Sequence, residues 1–227
     1  MSIAPPFLVK ICGLSTPETL RAALDGGADM IGLVFHPKSP RFITLERAVE
    51  LAAIARGKAE IVALTVDWTE KQTTELVEAL NPDWLQLHGR ETPEQTAALR
   101  RASGRRVMKA LGVAEAGDLA AIAAYRDVAD RILLDAKPPK DAAFPGGHGR
   151  PFDWTVLADL DPGLPFMLGG GLDPANVAEA IRVNRPAGVD VSSGVESAVG
   201  VKDPARIVEF IAAARKAAAT VQEGLTA

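Results

Sequence analysis

Short aliphatic or β-branched runs recur along the chain at Phe7–Ile11, Met30–Phe35, Ile61–Val66, Trp84–Leu87, Arg106–Ala110, Arg131–Leu134, Pro165–Leu168 and Gly188–Val191. Their apolar positions follow one another almost without polar interruption, which predicts eight parallel strands whose faces are covered. Between them apolar residues fall three and four apart, as at Leu20, Ala23 and Leu24, at Leu45, Val49, Leu51 and Ala52, and at Val177, Ala180 and Ile181. That is helix spacing. Ser15-Thr16-Pro17-Glu18, Thr92-Pro93-Glu94, Asp173-Pro174 and Asp203-Pro204 each set a capping oxygen before a proline, whose missing N–H is harmless in a first turn. Gly26-Gly27 predicts the end of the first helix.

Strand and helix thus alternate through 227 residues, in units of βαβ length. The pattern predicts one domain over residues 1–227, a closed eight-stranded parallel (β/α)8, or TIM, barrel. A doubly wound sheet would carry a dinucleotide fingerprint after its first strand, where Lys10-Ile11-Cys12-Gly13-Leu14 stands instead. The alanine-rich stretch after Lys216 reads as an extension of the last helix.

Composition then removes whole classes of function. Acidic and basic residues are mixed along the chain and sum to −4, so no basic stripe offers itself to a nucleic acid. A single cysteine cannot make an internal disulfide, and the N-terminus lacks the basic flank and cleavage site of an export signal. No apolar run approaches the ~20 residues of a bilayer crossing. The expectation is a cytoplasmic protein with no membrane or nucleic-acid partner, acting on a small molecule as a monomer or homodimer.

In such a barrel the chemistry gathers where the carboxyl ends of the strands meet. Two of these ends are glycine-rich: Gly169-Gly170-Gly171 after the seventh strand, and Ser192-Ser193-Gly194 after the eighth. Together they predict a cup of backbone amides and hydroxyls for a phosphate group. The remaining ends bring Lys10 and Cys12, the loop His36-Pro37-Lys38-Ser39-Pro40-Arg41, Asp67, Gln86 and His88, Lys109, and Asp135 with Lys137. One thiol, carboxylates and cations around a phosphate cup suit proton transfer on a small phosphorylated substrate.

Each candidate also has a bland reading. Cys12 is either a small buried hydrophobe or, with Lys10 lowering its pKa, a thiolate base. Asp135 is a cap or a carboxylate neutralised by Lys137, or else an acid facing Cys12 across the mouth. Arg41, behind a rigid proline segment, is a solvated loop charge or a clamp for a substrate carboxylate. Gln86 and His88 either bind the ligand or complete an interior polar layer, and Asp190 either contacts the ligand or orients loop amides. The three histidines, His36, His88 and His148, lie on separate loops without HExxH or CxxC spacing, so no metal is expected.

Taken in order, Val9-Lys10-Ile11-Cys12-Gly13, Gly32 to Arg41, Leu85-Gln86-Leu87-His88-Gly89, Leu133-Leu134-Asp135, Phe152-Asp153-Trp154, Leu168 to Leu172 and Val189 to Glu196 resemble the phosphoribosylanthranilate isomerases of tryptophan biosynthesis. The resemblance implies an Amadori rearrangement of N-(5-phosphoribosyl)anthranilate without a cofactor. It implies Asp135 as general acid and Cys12 as general base. Lys10, Arg41, Gln86, His88 and Asp190 would bind the substrate, with Arg41 on the anthranilate carboxylate and both glycine loops on the phosphate. The chain departs from the family's usual Gly-Gly-Thr-Gly before Phe-Asp-Trp, reading Gly146-Gly147-His148-Gly149-Arg150-Pro151 instead, where Gly147 and Gly149 are candidates for a third phosphate contact. A histidine-pathway isomerase would place aspartate where Cys12 stands, a pentose-phosphate epimerase would need strand-end histidines, and a binding barrel without turnover would not need Cys12, Asp135 and Arg41 together.

Overall fold

The computed structural model describes residues 6–137, 153–157, 160 and 165–226, with side chains as far as 224. Eight parallel strands, β1 (Leu8–Cys12), β2 (Met30–Val34), β3 (Glu60–Thr65), β4 (Trp84–Leu87), β5 (Arg106–Val113), β6 (Arg131–Ala136), β7 (Phe166–Leu168) and β8 (Gly188–Val191), pair in sequence order. Pairing of β1 with β8, from Leu8 opposite Gly188 to Ile11 opposite Val191, closes the ring into a barrel. The predicted fold and its eight strands are therefore present, with ends shifted by up to three residues.

Among the described residues six α-helices cover the barrel: α1 (Pro17–Asp25), α2 (Leu45–Ala55), α3 (Glu70–Leu80), α4 (Pro93–Ser103), α5 (Val177–Asn184) and α6 (Pro204–Thr226). Thr16, Thr44, Thr69 and Thr92 accept backbone N–H groups at the starts of α1 to α4, and Gln72 and Gln95 complete capping boxes. Asp173 accepts two amides in a turn that runs three residues before α5 begins. After β5 and β6 the described connecting residues include 3₁₀ segments, Ala116–Tyr125 and Trp154–Leu157. The first of these buries only Ile122, so no apolar stripe holds it as an α-helix. On α2 the apolar face is Ala48, Leu51, Ala52 and Ala55, while Val49, expected there, faces outward. A short antiparallel hairpin, β9 (Glu196–Ala198) and β10 (Val201–Lys202), follows β8.

Side chains alternate between two cores. Outward positions such as Val9, Ile11, Ile31, Leu33, Leu85, Val107, Ile132 and Leu134 pack under the helices. Inward ones begin with Met30, Val62, Trp84, Met108, Leu133 and Met167, an apolar plug. Its lower end is closed by Trp84, which carries the Arg106 and Arg131 guanidiniums 4.4 and 5.5 Å from its ring centre and gives its N–H to Glu60. Towards the carboxyl ends the inward position is polar on β1, β4, β6 and β8, at Lys10, Gln86, Asp135 and Asp190, and that change of layer defines the mouth. No helix among the described residues is long and apolar enough to cross a membrane.

Candidate active site

Because side chains alternate along a strand, β1 sends Leu8, Lys10 and Cys12 inward and β6 sends Arg131, Leu133 and Asp135 inward. Cys12 and Asp135 therefore stand in the same interior wall, on strands separated by β7 and β8. Cys12 packs with Val34 and Leu64 and is 4% exposed. Room for its sulfur is made opposite on β2, where a Cβ at Gly32 would lie 2.8 Å from Sγ.

Beneath the thiol, fully buried Lys10 donates to Asp190 Oδ1 at 2.8 Å. Burial alone would lower the Lys10 ammonium, but Asp190 and then Cys12 outweigh it and hold it above the usual lysine range. For Cys12 the balance runs against the sequence expectation. Lys10 does pull the thiol pKa down, as does Lys202, but burial is the larger effect and Asp190 adds to it, so the thiol sits above its ordinary value.

Asp135 is held by two polar contacts. Its Oδ1 accepts the Ala136 N–H at 2.8 Å, and its Oδ2 lies 3.3 Å from His88 Nε2. Behind His88, Nδ1 lies 2.9 Å from Gln86 Nε2 on a fully buried side chain. Gln86 and His88 thus join the acid in one chain of contacts across the mouth. Lys137 does not neutralise Asp135: it pairs with Asp118 at 2.7 Å and is half exposed. Lys109 is a second correction. It follows inward-facing Met108, so its side chain points outward, where it donates to Glu91 at 2.7 Å and to the carbonyls of Leu87 and Gly89. Glu91 in turn accepts the N–H groups of Asp67 and Gly89, and this buried pair ties the exits of β3 and β4 together.

The two glycine loops lie against each other. Gly170 and Gly171 have φ of +79° and +70°, a left-handed turn that a side chain disfavours, and a Cβ on Gly170 would strike the Ala136 amide. Gly194 approaches the Leu172 carbonyl so closely that any side chain there would collide. Gly169 spends its N–H on Leu134 O within the sheet. The Ser192 hydroxyl turns inward and donates to Cys12 O at 3.1 Å, while Ser193 and Gly194 open the 3₁₀ turn Ser193–Val195. Gly147 and Gly149 lie outside the described residues.

Sequence reasoning missed what stands behind these loops. Arg41 is buried, and its Nε and Nη2 grip Glu196 Oε1 and Oε2 at 2.7 and 2.9 Å. Glu196 also receives Lys202 Nζ at 2.8 Å, and Lys202 reaches Ser192 O and Oγ at 2.7 and 3.1 Å. Burial raises the Glu196 carboxyl, yet Arg41 and Lys202 outweigh it and keep it below the ordinary range; burial pushes Lys202 down to about 8. The only signal in the sequence was three charges around a short Val199-Gly200 turn and a proline loop. Among the described residues no three His, Cys, Asp or Glu side chains gather to hold a metal ion.

Comparison with known proteins converges on one family. The sequence model for N-(5'-phosphoribosyl)anthranilate isomerase matches residues 9–213. An isomerase of that name from Afipia carboxidovorans is 59% identical over 214 residues, covering 94% of this chain and 92% of its own. The crystal structure of phosphoribosyl anthranilate isomerase from Thermotoga maritima superposes with a TM-score of 0.83 at 34% identity, covering 92% and 99% of the two chains. A structure of the isomerase in complex with reduced 1-(o-carboxyphenylamino)-1-deoxyribulose 5-phosphate has a TM-score of 0.81 at 33% identity, with the same coverage.

Proposed function

Since the chain belongs to the N-(5'-phosphoribosyl)anthranilate isomerase family, we propose that its barrel mouth carries out that rearrangement with Asp135 as general acid and Cys12 as general base. The enzyme is an isomerase of tryptophan biosynthesis, converting N-(5-phosphoribosyl)anthranilate to 1-(2-carboxyphenylamino)-1-deoxyribulose 5-phosphate. The observation that carries the assignment of roles is the shared inward row. Cys12 and Asp135 emerge into one interior from opposite flanks of β7 and β8, whose loops supply the candidate phosphate cup.

The acid acts first. Asp135 gives its proton to the furanose ring oxygen, the C1–O bond breaks, and the anthranilate nitrogen's lone pair forms the C1=N iminium. That positive charge acidifies the C2 proton, which the Cys12 thiolate removes while the electrons return to nitrogen. The enolamine then gains a proton at C1 and loses one from the C2 hydroxyl to give the ketone. C1 is reduced as C2 is oxidised, so the atoms and electrons balance inside the substrate and no cofactor is called for.

The other candidates take supporting places. His88, braced by Gln86, holds the Asp135 carboxyl toward the mouth. Lys10 and Asp190 form the charged floor below the thiol. Arg41, oriented by Glu196, is assigned to the anthranilate carboxylate, and the amides of Gly170, Gly171, Ser193 and Gly194 to the phosphate. Gly169 and the Ser192 hydroxyl act from behind, on Leu134 O and Cys12 O. A role for Gly147 and Gly149 in the same cup rests on the resemblance alone. A biosynthetic role on small metabolites supports a cytoplasmic location.

The test uses purified protein and substrate generated in situ. The anthranilate fluorescence of the substrate is lost on turnover, and Cys12→Ser and Asp135→Asn each abolish that loss while still binding a reduced product analogue. Full turnover by either variant overturns its assignment. Arg41→Ala raises KM more than it lowers kcat, and an unchanged KM removes it from the carboxylate.

A further inference from the structure

Lys202 is a buried cation for which the acid–base reading has no use. Its side chain is 1% exposed and makes contacts of 2.7 and 3.1 Å to Ser192 O and Oγ and 2.8 Å to Glu196 Oε1. Ser192 Oγ in turn donates to the carbonyl of Cys12. One ammonium therefore touches, through a single serine, the residue assigned as the base.

Among the described residues five charges lie around Cys12. Lys10 and Asp190 form one ion pair below it, and Arg41 and Glu196 form a second beside the loop. Lys202 is the fifth and shares Glu196 with Arg41. From β2 and β3 the sulfur meets Val34 and Leu64, which contribute no charge. A buried cation is stabilised by each anion near it. Beside Glu196, the thiolate of Cys12 is such an anion.

We infer that Lys202 is a positioning residue of the isomerisation, fixing the Ser192 loop against Cys12 and supplying a buried positive charge that favours the thiolate. This rests on Cys12 being the base. The electrostatics agree in both directions, since Lys202 draws the thiol pKa down and Cys12 draws the Lys202 pKa up. A residue that only balanced Glu196 would hold the hairpin in place without touching the titration of the thiol.

The chain has one cysteine, so the ultraviolet absorbance of its thiolate, read against Cys12→Ser as blank, titrates that residue alone. Lys202→Gln keeps a hydrogen-bond donor but removes the charge. It moves the thiol midpoint upward by about one pH unit, roughly tenfold in thiolate at neutral pH, and moves the acidic limb of kcat/KM with it. Lys202→Arg returns both toward the wild type. A folded Lys202→Gln whose thiol titrates at the wild-type midpoint overturns the inference. Should that variant not fold, the reciprocal measurement decides. Carbon NMR of the Lys202 side chain shows a lower pKa in Cys12→Ser than in the wild type, and equal values overturn the coupling. Retained turnover in Cys12→Ser would instead remove the base assignment itself, whereas an inactive Cys12→Ser beside unmoved titrations removes only the role of Lys202.

Discussion

Gly32→Ala tests the base without touching it. A Cβ at this position would sit 2.8 Å from Cys12 Sγ, 3.0 Å from its Cα and 3.2 Å from its Cβ. Non-bonded heavy atoms settle at about 3.5–4.0 Å, so the end of β1 must retreat by roughly 1 Å. A displacement of that size at a reacting group costs on the order of 100-fold in rate, or about 2.7 kcal/mol of transition-state stabilisation. The overpacked site also lowers stability, by about 1–3 kcal/mol. Steady-state loss of anthranilate fluorescence should show kcat reduced by much more than KM is raised, because the proposed phosphate anchors follow β7 and β8, and of the anchors only Arg41 follows β2. A urea titration should find a cooperative transition with a lowered midpoint. In a Cys12→Ser background the same alanine should cost no further rate, since the group it displaces has already gone. A single Gly32→Ala variant whose kcat stays within about threefold of the wild type would refute the reasoning, for then the sulfur's position would not govern the rate.

The remaining predictions concern the parts that hold the mouth together. Gly194→Ala pushes against the Leu172 carbonyl and separates the two glycine loops, so KM should rise by roughly tenfold, about 1.4 kcal/mol; unchanged inhibition by inorganic phosphate would argue against a shared cup. Lys109→Met leaves Glu91 buried and unpaired and should cost about 3–5 kcal/mol in urea unfolding, part of it recovered when Glu91→Gln is added. Lys202 makes stability depend on pH in a stated sense. The folded chain gives up its proton near 8 while the unfolded chain keeps it to 10.5, so stability from this group rises between those values and the wild type gains on Lys202→Met across them. Urea midpoints of the two proteins that keep a constant difference through that window would contradict it.

What could be read from sequence depended on how local its cause was. Strand cores came from unbroken apolar runs, and helix starts from threonine or aspartate before proline, both settled within a few residues of chain. β5 ran three residues past Ala110 because Gly112 interrupts its apolar run while its pairing with β6 continues to Val113. Lys109 was placed at the mouth by position along the strand, although alternation from Met108 already turned it outward. Cys12, Asp135, Lys10 and Asp190 could be placed at one mouth because strand ends converge. Glu196 and Lys202 were not, because burial of a charge is a property of its partners, and these come from the β2 exit and a hairpin beyond the last strand.

The two halves of the site are built from different materials, and the difference follows the order of the chemistry. On the β6 side Asp135 meets a backbone amide and an imidazole, groups that serve a carboxyl whether or not it carries its proton. On the β1 side Cys12 lies among lysines and carboxylates, and burial holds its thiol above the ordinary value. A base so held gains most from an additional positive charge nearby. In the proposed sequence that charge is the substrate's own iminium, which exists only after Asp135 has opened the ring. The acid thus creates the condition under which the base works.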